Sequence, residues 1–174
     1  MRTTLVLLSW WLLCSACGDQ ETTTAVSGRS GAEVTTVYLV RHAEKGDGED
    51  PDLTEAGRER AERLSRLLAD EEIVAVFTTP FRRTRQTATP TAEHQGVPVS
   101  TYDAGQLTKI AERVVNAHRG GSVLVVGHSN TTPELATILS EGETFEAISE
   151  DDYGTLLVIS IPTAGRPSVE RRTY

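Results

Sequence analysis

The chain has 174 residues, with 17 Lys and Arg against 25 Asp and Glu, for a formal net charge of −8. An acidic chain with no basic stripe excludes the electrostatic footprint of a nucleic-acid binder. Any anion it binds must therefore be met by a local cluster of cations.

In chain order the first element is a leader. Arg2 precedes an apolar run over residues 5–13, and small residues Cys14-Ser15-Ala16-Cys17 follow. Basic, apolar, small is the order of a secretory signal, and the run falls short of the roughly 20 residues a spanning helix needs. Ser15-Ala16-Cys17 resembles a bacterial lipobox, with Cys14 where Leu is usual. The reading is a signal peptide over residues 1–16 and an acylated Cys17 anchoring the chain to a membrane on the extracytoplasmic side, with simple secretion as the alternative. Cys17 is then the single remaining thiol, so no intramolecular disulfide can form. Residues 17–33, rich in Thr, Ser and Gly, read as a tether. The domain spans 34–174, long enough to bury a core without staples.

Within it, residues 35–40, 73–78 and 123–127 are Val-rich apolar runs that suit strands buried on both faces, and 97–101 adds a further strand. Residues 156–161 and 169–174 suggest a terminal hairpin over the turn at 163–167. Helical stripes lie between: Gly57, Ala61, Leu64 and Leu68 behind a Thr54 cap, Leu107, Ile110, Ala111, Val114 and Val115, and a segment from Pro133 to Leu139. Residues 82–94 are helical in composition, with Pro90 expected to kink or divide them. Strands alternating with helices predict a three-layer α/β sandwich, its central sheet mainly parallel with helices on both faces.

Ligands in such sheets bind beyond the carboxyl ends of the strands. Those ends carry Arg41-His42-Ala43-Glu44-Lys45, Thr79-Pro80-Phe81-Arg82-Arg83, Tyr102-Asp103 and His128-Ser129-Asn130-Thr131. Two histidines and several arginines thus converge on one edge. Arginine forks match phosphate oxygens, a helix N-terminus adds N–H donors, and a neutral imidazole can attack phosphorus. Helical spacing forbids Arg82, Arg83 and Arg85 from sharing one pocket. Ser129 and Asn130 also suit a capping role, and His94 and His118 fall late in helices, where a cap or surface role is usual. Gly127-His128-Ser129-Asn130-Thr131 approximates a nucleophile elbow, but an α/β-hydrolase requires a His after the Ser and none follows His128. The spacings of a metallohydrolase are missing too.

Four segments together resemble the histidine phosphatase superfamily, the phosphoglycerate-mutase-like family. Val40-Arg41-His42-Ala43-Glu44 resembles its Arg-His-Gly signature, with Ala for Gly. Asp52-Leu53-Thr54-Glu55-Ala56-Gly57 resembles its Leu-Thr-x-x-Gly helix opening. The stretch from Thr78 to Ala88 resembles Ser-Ser-Pro-x-x-Arg-Ala-x-Gln-Thr-Ala, and Val126-Gly127-His128-Ser129-Asn130 resembles the segment with the second His. The likeness covers about residues 34–161. It implies that His42 is the phosphorylated nucleophile and that Arg41, Arg83 and His128 hold the phosphoryl oxygens. It implies no cofactor and no metal. The acid is expected at Asp103, or else at Glu44, and a bell-shaped pH dependence would follow. The expected partner is a phosphorylated small molecule or phosphoprotein. A non-catalytic phosphate-binding module is the alternative, and mutase activity would need insertions this short domain lacks.

Overall fold

The computed structural model describes residues 33–174. The leader, Cys17 and nearly all of the tether lie outside the described residues. From Val34 the elements run β1 (Val34–Arg41), α1 (Glu55–Leu67), β2 (Ile73–Thr78), α2 (Arg82–Gln95), β3 (Val99–Thr101), α3 (Leu107–Ala117), β4 (Ser122–Gly127), α4 (Thr131–Leu139), β5 (Thr155–Pro162) and β6 (Ser168–Thr173). They form one six-stranded sheet in the order β3-β2-β4-β1-β5-β6. The β3, β2, β4 and β1 neighbours pair in parallel, while β5 runs antiparallel to both β1 and β6.

Alternation along the strands divides the core between two faces. Val37 and Leu39 of β1, Val123 and Val125 of β4, and Leu157 and Ile159 of β5 face α3 and α4, whose Ile110, Val114 and Leu135 fill that side. Tyr38, Val40, Leu124, Val126, Leu156 and Val158 face the other way, against Leu64 and Leu68 and against Ala88 and Ala92 of α2. In β2, Ile73 and Val76 share a face although three residues apart. The register shift between Ile73 and Ala75 makes this possible. The expected three-layer sandwich is thus present, with helices on both faces.

Two local expectations change. The edge strand β3 starts at Val99 and not at 97. Pro98 has no N–H to give a ladder, which suits the outside of an edge strand. Helix α2 runs unbroken from Arg82 through Pro90 to Gln95, so Pro90 does not divide it. Burial of Thr87, Ala88, Thr91 and Ala92 on the flanking turns holds the helix across the hydrogen bond that proline forfeits.

Helix α1 fixes the chain just after β1. Thr54 caps it by accepting from the Gly57 N–H at 3.1 Å, while the Thr54 N–H donates to the Glu44 carbonyl at 2.9 Å. Helix and loop touch so closely that a Cβ on Gly57 would lie 2.1 Å from the Glu44 oxygen. Backbone cannot yield as a side-chain tip can. Gly57→Ala should therefore cost about 3 kcal/mol, the upper end for overpacking, read as a lower denaturant midpoint.

Candidate active site

Strand register assembles the site. Arg41, the last residue of β1, pairs with Gly127, the last of β4, so His42 and His128 emerge side by side at the carboxyl edge. Their rings meet edge to face with centroids 5.6 Å apart. The His42 N–H donates to the Gly127 carbonyl at 3.0 Å. The next residue is fixed by α2: the Ala43 N–H donates to Thr87 Oγ1 at 2.9 Å, and that hydroxyl donates to the Arg83 carbonyl at 2.7 Å. Gly127 is needed for close approach, because a Cβ there would stand 3.0 Å from Thr131 Oγ1, Thr132 Oγ1 and the Tyr102 hydroxyl.

The state of each imidazole follows from its partners. His42 Nδ1 lies 2.8 Å from the Ala43 carbonyl. A carbonyl only accepts, so Nδ1 carries the proton and Nε2 of the neutral ring keeps its lone pair. His128 Nε2 is 3.0 Å from Thr79 Oγ1, which is 3.0 Å from Thr84 Oγ1. The Thr84 hydroxyl is within 2.9 Å of the carbonyls of Thr79 and Phe81 and donates there. Meeting every contact then requires Thr79 to donate to Thr84 and His128 Nε2–H to donate to Thr79.

Both rings stay neutral well below pH 7. Burial pushes His42 down to about 4, aided by Arg41, Arg83 and His128, against the opposing pull of the Ala43 carbonyl. Burial, then Arg83 and Arg41, push His128 down to about 4 against the pull of Glu150. Unfolded histidines titrate near 6.5, so between about 4 and 6.5 the unfolded chain holds more protons. Stability contributed by these groups is full above 6.5 and is lost as pH falls through that window. The loss for His42 alone should be on the order of 3 kcal/mol. Denaturant unfolding at pH 7.5 and pH 4.5 should show this drop, and His42→Gln should shrink it.

The arginines flank the histidines. Arg41 is 2% exposed. Its Nη1 donates to the carbonyls of Ser149 at 2.9 Å and Glu150 at 2.7 Å, its Nη2 reaches Glu150 Oε2 at 2.6 Å, and its guanidinium stacks 4.3 Å from the Tyr153 ring centre. Arg83 is also largely buried, stacked 4.4 Å over the Phe81 ring, with Nη1 3.7 Å from Asp50 Oδ1. Arg82 and Arg85 are both exposed, so the three arginines do not share one pocket, as helical spacing requires. Five buried side-chain polar atoms have no partner among the described residues, and two of them are Nε of Arg41 and Nε of Arg83.

The structure therefore brings Arg41, His42, Arg83 and His128 together. It does not bring Asp103 to them. Asp103 is exposed and closes a turn before α3, accepting from the Gly105 N–H at 2.8 Å and the Gln106 amide at 2.7 Å. The Gly105 N–H and then Gln106 hold its carboxyl below the usual range, the reverse of what an acid needs. It borders a separate depression with Tyr102, Lys109 and Arg113. Glu44 is committed elsewhere, with Arg60 Nη2 2.7 Å from its Oε1. Burial raises its carboxyl, but hydrogen bonds from Arg60 outweigh this and hold it low.

Three residues at the site had no signal in the strand-end reading: Glu150, Tyr153 and Thr79 in its role as the partner of His128. Glu150 Oε1 accepts from the Ser129 hydroxyl at 2.6 Å while Oε2 meets Arg41. The Tyr153 ring centre lies 6.2 Å from that of His42. Both belong to the loop before β5. That strand runs antiparallel to β1, so its entry loop arrives where the parallel strands end.

Residues 37–104 match the family model of the histidine phosphatase superfamily (branch 1), a stretch that includes Arg41, His42 and Arg83 and stops short of His128. No curated protein matches the sequence. Among solved structures, the protein histidine phosphatase SixA complexed with tungstate is 20% identical with a TM-score of 0.64, covering 79% of this chain and 96% of that one. A mycobacterial glucosyl-3-phosphoglycerate phosphatase in complex with VO3 is 14% identical with a TM-score of 0.61, covering 80% and 98%. Bacillus stearothermophilus YhfR is 19% identical with a TM-score of 0.60, covering 76% and 94%. At these identities the likeness is one of fold. Residues 37–104 thus match the histidine phosphatase model, and the domain as a whole shares the fold of these phosphatases.

Proposed function

We propose that the protein is a metal-independent phosphatase that works through a phosphohistidine on His42. The observation that carries this reading is the pair of buried Nε–H donors on Arg41 and Arg83 that have no partner among the described residues, beside a neutral imidazole whose proton sits on Nδ1, so that Nε2 keeps its lone pair. A phosphoryl group there gives both guanidinium groups an acceptor and gives Nε2 an electrophile. In the first step Nε2 bonds to phosphorus, the bond from phosphorus to the leaving atom breaks, and the leaving group departs with its electron pair. In the second, water adds to phosphorus, the N–P bond breaks, and inorganic phosphate leaves with His42 restored.

Asp103, Glu44 and Glu150 all hold their carboxyls below the ordinary range. This supports substrates whose leaving groups need little help from a protein acid, such as phosphohistidine or activated phosphomonoesters. None of these three carboxyls then supplies the acid limb of a bell-shaped pH profile, and the profile should rise through about pH 4 with His42 and stay level toward neutrality. The same lack of an acid favours a second reading, a phosphate-binding module without turnover. Hydrolysis of p-nitrophenyl phosphate in EDTA, with acid-quench detection of labelled phosphohistidine, separates the two. Turnover with an acid-labile label supports the phosphatase, and anion binding without either supports the module.

The address is proposed from the order of residues 1–17 alone: acylation of Cys17 tethers the domain to the extracytoplasmic face of a membrane. Cys17→Ser should move the full-length protein from the membrane to the soluble fraction, and unchanged sedimentation with membranes would count against the lipid.

A further inference from the structure

Each arginine of the site carries an acidic partner. Asp50 stands 3.7 Å from Arg83 and also accepts from the Arg82 N–H at 2.9 Å. Glu150 is the closer case. One carboxylate oxygen sits 2.6 Å from Arg41 Nη2, the other accepts from the Ser129 hydroxyl at 2.6 Å, and the side chain is 76% exposed. The backbone of its loop is fixed independently, through the Ile148 N–H to the Ser129 carbonyl at 3.0 Å and through Arg41 Nη1 to the carbonyls of Ser149 and Glu150. The carboxylate can therefore leave Arg41 without the loop leaving the site. Its backbone and Ser129 keep it at the mouth, next to the leaving group of a phosphoryl donor presented to His42.

We propose that Glu150 is a specificity-determining residue that discriminates by charge, admitting phosphoryl donors with neutral or cationic leaving groups and disfavouring those whose leaving group bears a further negative charge. The inference rests on the phosphatase reading of the site. Two effects add. Glu150 competes with every phosphoryl group for Arg41 Nη2, which weakens all anions alike. It also repels a second negative charge and attracts a positive one, and this part depends on the leaving group. At about 4 Å in a water-like medium one unit of charge corresponds to roughly a fivefold change.

The test uses three aryl phosphates that differ in the para substituent: nitro, carboxylate and trimethylammonium. The quantity is the ratio of kcat/KM in Glu150→Gln to that in the wild type, which cancels the intrinsic reactivity of each ester. The ratio should be about fivefold higher for the carboxylate ester than for the nitro ester, and about fivefold lower for the ammonium ester. Glu150→Ala should behave like Glu150→Gln, since charge and not shape is at issue. Equal ratios for all three esters would overturn the proposal. Calorimetric binding of the same esters to His42→Ala and to His42→Ala/Glu150→Gln reads the same discrimination without turnover. An inactive wild type would thus sink the phosphatase reading alone, whereas charge-blind binding would sink the role of Glu150.

Discussion

Replacing His42 with alanine should reduce turnover of p-nitrophenyl phosphate by about 10⁴-fold or more, because a covalent pathway has no substitute for its nucleophile. The labelled phosphoenzyme should vanish with it. The substitution removes a buried ring held between Ala43, His128 and Tyr153, so folding must be checked by circular dichroism and thermal unfolding. The variant should also keep its affinity for inorganic phosphate, since Arg41, Arg83 and His128 remain. A folded His42→Ala enzyme that still turned over at a tenth of the wild-type rate would mean that His42 is not the attacking group.

Arg83→Gln should lower kcat/KM by about 10²- to 10³-fold, the range seen when one preorganised donor to a developing anion is removed. Arg83→Lys should recover only part of this loss, because an ammonium cannot present a planar fork. The informative comparison is with Arg85→Gln. Arg83 is largely buried over Phe81, whereas Arg85 two residues on is exposed. Two residues on a helix differ by roughly 200° of rotation, so the second charge faces solvent and its loss should change kcat/KM by no more than about twofold. Equal losses from both variants would mean that general positive charge matters and not the placement of one guanidinium.

Much of the fold was legible because its signals are local. Val-rich runs bounded by loops marked β1, β2 and β4, and the stripe from Leu107 to Val114 marked α3. Thr54 announced the start of α1. That Arg82, Arg83 and Arg85 cannot share one pocket needed only the helical repeat, while the choice of Arg83 came from the family resemblance. Where local rules failed, neighbours had overruled them. Pro90 stays within α2 because the turns on either side of it are buried against the sheet and α1, a fact about packing that composition does not contain.

The sequence by itself determined the chemical outfit of this protein. Arg41 closes β1 and His42 follows it, Arg83 lies in the first turn of α2 and His128 follows β4, and parallel strands deliver their carboxyl ends to one edge whatever their order in the sheet. Tertiary structure decided which carboxylates attend that outfit. Asp103 also follows a strand, but its own turn claims it through Gly105 and Gln106. Glu150 precedes a strand and would be dismissed by the same rule. It reaches the site because β5 pairs antiparallel with β1, and reversal of one strand carries the start of that strand to the edge where the others end. Strand direction is set by pairing with residues more than a hundred positions away, so it cannot be read from the residues around Glu150.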